Sequence, residues 1–122
     1  RIIFAGYTNY VPEKIASCKI FVLSSDYEGM PNALMEAMAS GVPCVSTDCP
    51  CGGPKELIIN NQDGVLVPIN DVDRMSSALS ELLRNDRLRK KLGDNAKKRA
   101  EKFKAERIYS IWKQYFEKVI NK

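Results

Sequence analysis

Residues 24–45, SSDYEGMPNALMEAMASGVPCV, restrict the fold more than any other stretch of this chain. An apolar run, KIFVLSS (19–25), feeds a loop that carries Gly29 and Pro31. A helix-forming segment follows to Ser40, and a second apolar run begins after Gly41 and Pro43. Gly41 suits a left-handed helix cap, and Pro43 stops any continuation before the strand expected over residues 44–47. Two short strands joined through a helix are parallel neighbours, and their crossover is right-handed. Unbroken runs such as IFVL fit strands buried on both faces of such a sheet. The expected fold class is therefore α/β, a Rossmann-like parallel sheet with flanking helices.

The same stretch concentrates the polar chemistry. The helix opens near Pro31 and Asn32, so its first free N–H groups point toward the carboxyl edge of the preceding strand, where backbone donors and the helix dipole favour an anion such as phosphate. Ligands of open α/β sheets bind beyond that edge. Gly29 lets a ligand approach the backbone closely. Glu28 stands before the helix on the rim of the crevice. Glu36 stands about one turn inside it, on the face of Asn32, Ala33 and Ser40, with Leu34, Met35 and Met38 on the other faces. One carboxylate can accept hydrogen bonds from sugar hydroxyls near a phosphate, the other from a ribose farther away.

These residues resemble the E-x(7)-E signature of retaining glycosyltransferases of the family 4 type with a GT-B fold. TDCPCGGPKELI and DGVLVP resemble that family's next segments in the same order, so the likeness covers nearly the whole chain. The resemblance implies the C-terminal lobe of a GT-B enzyme, with Glu36 on the ribose hydroxyls and Glu28, the implied catalytic residue, on the donor sugar. It further implies that the backbone of Gly29, Met30, Pro31, Asn32 and Ala33 meets sugar and phosphates, with Leu34 packed near the ribose. Ser24, Ser25 and Asp26 would shape the pocket floor. Implied partners are a nucleotide-sugar, UDP-linked by the habit of resembling capsule and glycan-assembly enzymes of bacteria, a glycan or lipid-linked acceptor, and an N-terminal lobe of the same chain. The family's diphosphate-clamping Arg and Lys and its acceptor-binding residues have no counterpart here, and Lys55 does not occupy the clamp position. The isolated chain is accordingly expected to be inactive.

A length of 122 residues allows one domain that buries roughly two-thirds of its unfolded surface. The chain starts at Arg1 with an apolar, strand-like run over residues 2–4, which reads as a piece of something longer: a single truncated nucleotide-sugar-binding domain over 1–122 with a helical segment over 71–122. No apolar run nears the ~18 residues of a membrane span, and nothing resembles a signal peptide. Cys18, Cys44, Cys49 and Cys51 accompany a proper core rather than a stapled scaffold, so reduced, incidental thiols and a cytoplasmic setting are expected. With no histidine and no second close cysteine pair, no metal and no other cofactor is expected.

Charge is divided unevenly. Residues 1–83 hold five basic side chains against ten acidic ones, a balance of −5, whereas residues 84–122 hold fourteen against five, a balance of +9. Such a segment suggests an anionic partner surface, lipid headgroups or nucleic acid. Nucleic acid is not expected, because the charged face lacks interleaved aromatic residues. A peripheral position at the inner face of a membrane fits a lipid-linked acceptor.

Elsewhere, residues 1–5 read as a buried strand ending at Gly6, and VPEKIASC as a helix with Val11, Ile15 and Cys18 on one face. Gly52 and Gly53 let the 48–54 loop approach a ligand, and a short helix starts near Pro54. Residues 64–68 form the last strand. Three helices follow: one capped by Asp71, one from Asp86 to about Phe103 with a basic face, and one from Ala105. The last carries Ile108, Ile111, Trp112, Tyr115, Phe116, Val119 and Ile120 as a stripe that either packs on the lobe or meets a partner surface. A non-enzymatic sugar-nucleotide-binding module or a membrane-surface adaptor is the alternative functional reading. A glycosidase pair is disfavoured, since it needs both carboxyls flanking one bond.

Overall fold

The computed structural model describes residues 1–121. In chain order the elements are α1 (Val11–Ala16), β1 (Phe21–Leu23), α2 (Asn32–Ala39), β2 (Cys44–Thr47), α3 (Gly53–Leu57), β3 (Val65–Val67), α4 (Val72–Arg84), α5 (Asp86–Ala100), a 3₁₀ turn (Glu101–Phe103) and α6 (Ala105–Ile120). The strands form one parallel sheet in the order β1-β2-β3, with Phe21 opposite Cys44 and Val45 opposite Val65.

That register sorts the strand side chains into two layers. Phe21, Leu23, Cys44 and Leu66 join Leu34, Ala37, Met38, Leu57 and Ile58 under α2 and α3. Val45, Val65 and Val67 join Leu82 and Leu92 under α4 and α5. Every residue of β2 is buried, as expected of a central parallel strand. Edge strand β1 departs from the expectation of burial on both faces: Val22 is 41% exposed, because the second layer gathers around β2 and β3.

Helix ends follow the local chemistry. Gly41 adopts φ +74 and its N–H donates to Met38 O, the left-handed cap expected of it. The Asp71 carboxylate accepts from Arg74 N–H at 2.9 Å, and α5 is capped by Asn85, whose side chain accepts from Leu88 N–H. Gly93 lets α5 cross the end of α2: a Cβ there would lie 2.2 Å from Gly41 O.

Three expectations are corrected. Residues 1–5 form no strand, and Ile2 and Phe4 are exposed; the run has strand propensity but no ladder partner among the described residues. Cys18 falls beyond the end of α1 and is exposed, so Ile15, with partly buried Val11, anchors that helix in the core. Regular α-helix in α5 stops at Ala100, and the 3₁₀ turn carries the chain to Phe103. No helix among the described residues is long and apolar enough to cross a membrane.

Candidate functional site

All three strands end at one edge of the sheet, and their loops converge there. The first loop runs from Ser24 to the start of α2, the second from Asp48 to the start of α3, the third from Pro68 to Asp71. Side chains tie the first two together. The Thr47 hydroxyl and the Cys49 thiol both donate to Ser25 O, the thiol at 3.1 Å, and the Ser25 hydroxyl donates to Glu28 Oε1 at 2.7 Å. Gly52, in the left-handed region at φ +78, turns the second loop so that Gly53 lies against Gly29; a Cβ on Gly53 would meet Gly29 O at 1.5 Å. Only glycine fits there. The Tyr27 phenol titrates above its ordinary value because the Cys51 thiol lies beside it, a further contact between the two loops.

Helix α2 opens from Pro31, which is buried and supplies no side-chain cap. The carbonyl of Pro31 accepts from Leu34 and Met35 N–H, so the first-turn donors at Asn32 and Ala33 face outward without an intrahelical partner. Asn32 and Ala33 are exposed, Met30 is half-exposed, and a Cβ placed on Gly29 would meet nothing within 4 Å. Glu28 is half-buried.

The Leu34 side chain is fully buried in the core with Ala37 and Met38, under α2. Glu36 is exposed and borders a mostly apolar groove of about 290 Å³ shared with Met35, Met38, Ala39, Ala100, Phe103 and Lys104. Glu28 thus stands in the braced loop and Glu36 over a groove between α2 and the end of α5. The expected pocket floor also divides: Ser25 turns to Glu28, whereas Ser24 and Asp26 line a recess of about 210 Å³ toward Asp71, Val72 and Met75. Lys55 is exposed and lies 3.5 Å from Asp48. No cluster of three or more potential metal ligands occurs among the described residues.

Two supports escaped the sequence reading. Cys49 is no incidental thiol, being buried and bonded to the loop. Asp63 is buried under the turn after α3, where its carboxylate accepts from Ile59 N–H at 2.7 Å and faces Arg99 at 3.5 Å. Desolvation raises the Asp63 pKa, opposed by the Ile59 hydrogen bond and the Arg99 charge. The Arg99 guanidinium in turn donates to Leu57 O and, at 2.7 Å, to Glu56 O, fastening the end of α3 and with it the glycine loop. An isolated acid at position 63 and a basic residue thirty-six positions later give no pairing signal along the chain.

Chemically, the edge offers outward backbone N–H groups, a carboxylate held by one oxygen, and a second carboxylate beside an apolar groove. That combination suits a ligand with hydroxyls and a delocalised negative charge.

Known proteins resemble this chain in sequence and fold. The family model described as "Glycosyl transferases group 1" matches residues 1–99. An exopolysaccharide phosphotransferase of Streptomyces coelicolor is 34% identical over 96% of this chain and 12% of its own length. The N-acetyl-alpha-D-glucosaminyl L-malate synthase of Bacillus anthracis is 31% identical over 98% of the chain and 31% of its own length. Among solved structures, a point mutant of Staphylococcus aureus TarM, crystallised with Fondaparinux, alpha-GlcNAc-glycerol and UDP, superposes with a TM-score of 0.84 at 31% identity, covering 92% of this chain and 23% of TarM. The chain thus spans under a third of the length of these proteins. With a parallel sheet and flanking helices of the GT-B type, and a family match running through both convergent loops, the chain belongs to the glycosyl transferases group 1.

Proposed function

We propose that this chain is the donor-binding lobe of a retaining glycosyltransferase and holds a nucleotide-sugar, a UDP-sugar, for transfer to a glycan or lipid-linked acceptor. The observation that carries this reading is the outward-facing first turn of α2 beside Glu28, whose carboxylate is held by Ser25. Diphosphate charge meets the helix N-terminus and the backbone of residues 29–33. Glu28 accepts from donor-sugar hydroxyls and Glu36 from the ribose. UDP in the TarM crystal, at 31% identity, supports the choice of base. In transfer, the bond from the anomeric carbon to the diphosphate breaks, a bond to the acceptor hydroxyl oxygen forms on the same face, and UDP leaves with the electron pair and takes up the hydroxyl's proton.

Helix donors and basic groups can offset the leaving charge without a metal. The clamping Arg and Lys come from an earlier part of the same lobe and the acceptor site from an N-terminal lobe in this reading, so the 122-residue chain alone does not turn over. Calorimetry on the full-length protein separates the two glutamates. Glu36→Ala weakens UDP binding by roughly 10- to 100-fold, the range expected for hydrogen bonds to a charged group, while Glu28→Ala spares UDP and depresses transfer. Equal losses of UDP affinity in both variants would refute this division of roles.

A further inference from the structure

We propose that Cys49 and Thr47 are positioning residues for Glu28, acting through Ser25; the inference rests on the donor-sugar role of Glu28 given above. Thr47 ends β2 and Cys49 lies two residues beyond it, and their exposures are only 4% and 2%. Each side chain has a single proton to donate. The Thr47 hydroxyl lies closer to Ser25 O than to Leu23 O, and the Cys49 thiol lies 3.1 Å from Ser25 O against 3.6 Å from Thr47 O. A carbonyl oxygen has two lone pairs and accepts both donors. Ser25 is thereby clamped where the chain leaves the sheet, at the point from which its hydroxyl reaches Glu28 Oε1.

The order of these contacts gives them a use beyond stability. Ser25 occupies Oε1, and Oε2 has no protein partner among the described residues, so the free oxygen points where the held one dictates. A swing of the Ser25 backbone would carry the Glu28 carboxylate with it. Neither donor hydrogen-bonds to α2 or Glu36, so the clamp acts on the sugar end of the site rather than the ribose end. Cys49 is a weak donor, yet its loss leaves a part-buried carbonyl with one donor fewer.

The test uses the full-length protein with Cys49→Ala, Cys49→Ser, the double variant Thr47→Val/Cys49→Ala, Ser25→Ala and Glu28→Ala. In the double variant, transfer kcat falls on the order of 10- to 100-fold, the loss expected for a misplaced reacting group, while UDP affinity is unchanged. Amide hydrogen exchange over residues 25–29 quickens. Cys49→Ser retains transfer because a hydroxyl supplies the same donor. A lowered melting temperature with undiminished kcat in the folded protein overturns the proposal, as does an equal loss of kcat in Cys49→Ser and Cys49→Ala. Should the double variant not fold, Cys49→Ala alone is read for exchange and kcat against Cys49→Ser, and the same outcomes decide. Failure of the underlying reading looks different: Ser25→Ala and Glu28→Ala both leave transfer intact while exchange over residues 25–29 still quickens in the Cys49→Ala variants.

Discussion

Helices α2 and α6 are both amphipathic, and the structure treats them in opposite ways. In eight residues α2 buries Leu34, Ala37 and Met38 completely or nearly so. In sixteen residues α6 buries none; its stripe runs from 38% exposed at Ile108 to 79% at Ile120. Trp112 and Phe116 stack on each other at 5.6 Å, with Tyr115 edge-on to Trp112, so the aromatic rings of α6 meet one another along the helix rather than a core. Of the two alternatives for this stripe, packing on the lobe is not the one the structure shows. Helix α2 is held over the sheet because strands precede and follow it within a few residues. Helix α6 leaves through the extended Lys104 after the last core element, and nothing among the described residues returns to cover it. Periodicity shows that a helix has an apolar face, whereas connectivity decides whether that face is covered.

The largest effect should come from comparing one side chain of each helix. Leu34→Ala leaves a cavity in a closed core and costs about 2–5 kcal/mol, whereas Trp112→Ala in this chain stays within about 0.5 kcal/mol, as surface changes do. Urea unfolding of both variants checks the contrast; comparable losses would mean that α6 is packed in solution. A smaller effect is expected where two loops, rather than a helix and a sheet, make the contact. Gly53→Ala drives a methyl into Gly29 O and should cost about 1–3 kcal/mol, the range of overpacking, with faster amide exchange around Gly29. Unchanged exchange there would show that the two loops are not in contact.

The smallest effect concerns Cys44, in the core beneath α2. Burial, reinforced by the Asp63 charge, pushes its thiol up to about 12 from an ordinary value near 9. The unfolded chain releases this proton first, so the contribution is complete below pH 9 and is lost as pH rises toward 12. At pH 10 the loss is about 1 kcal/mol relative to pH 8. Cys44→Ala should flatten this part of the alkaline stability profile, measured by denaturant melts. Exposed Cys18 and Cys51 should react with a thiol reagent while Cys44 and Cys49 stay protected.

From residue 11 onward the sequence alone determined the order of elements, the parallel sheet and most helix ends, because these depend on neighbours a few positions apart. Gly41 and Asp71 act as caps, and the boundaries of β2 and the start of α6 lie where periodicity and turn residues put them. The convergence of the acidic loop and the glycine loop was legible too, since parallel strands must end at one edge. What tertiary structure alone decided involves partners distant along the chain. Local pattern could not tell that Leu34 faces the core, that Gly53 is required by Gly29, or that Glu36 borders a groove completed by Phe103. Nor could it show the Cys49 thiol reaching a carbonyl twenty-four residues earlier, or the apolar run at residues 1–5 finding no ladder. A residue's type and spacing state what it can satisfy; which donor, carbonyl or apolar surface meets it is settled only when the chain is folded, because burial and hydrogen bonding depend on distance in space.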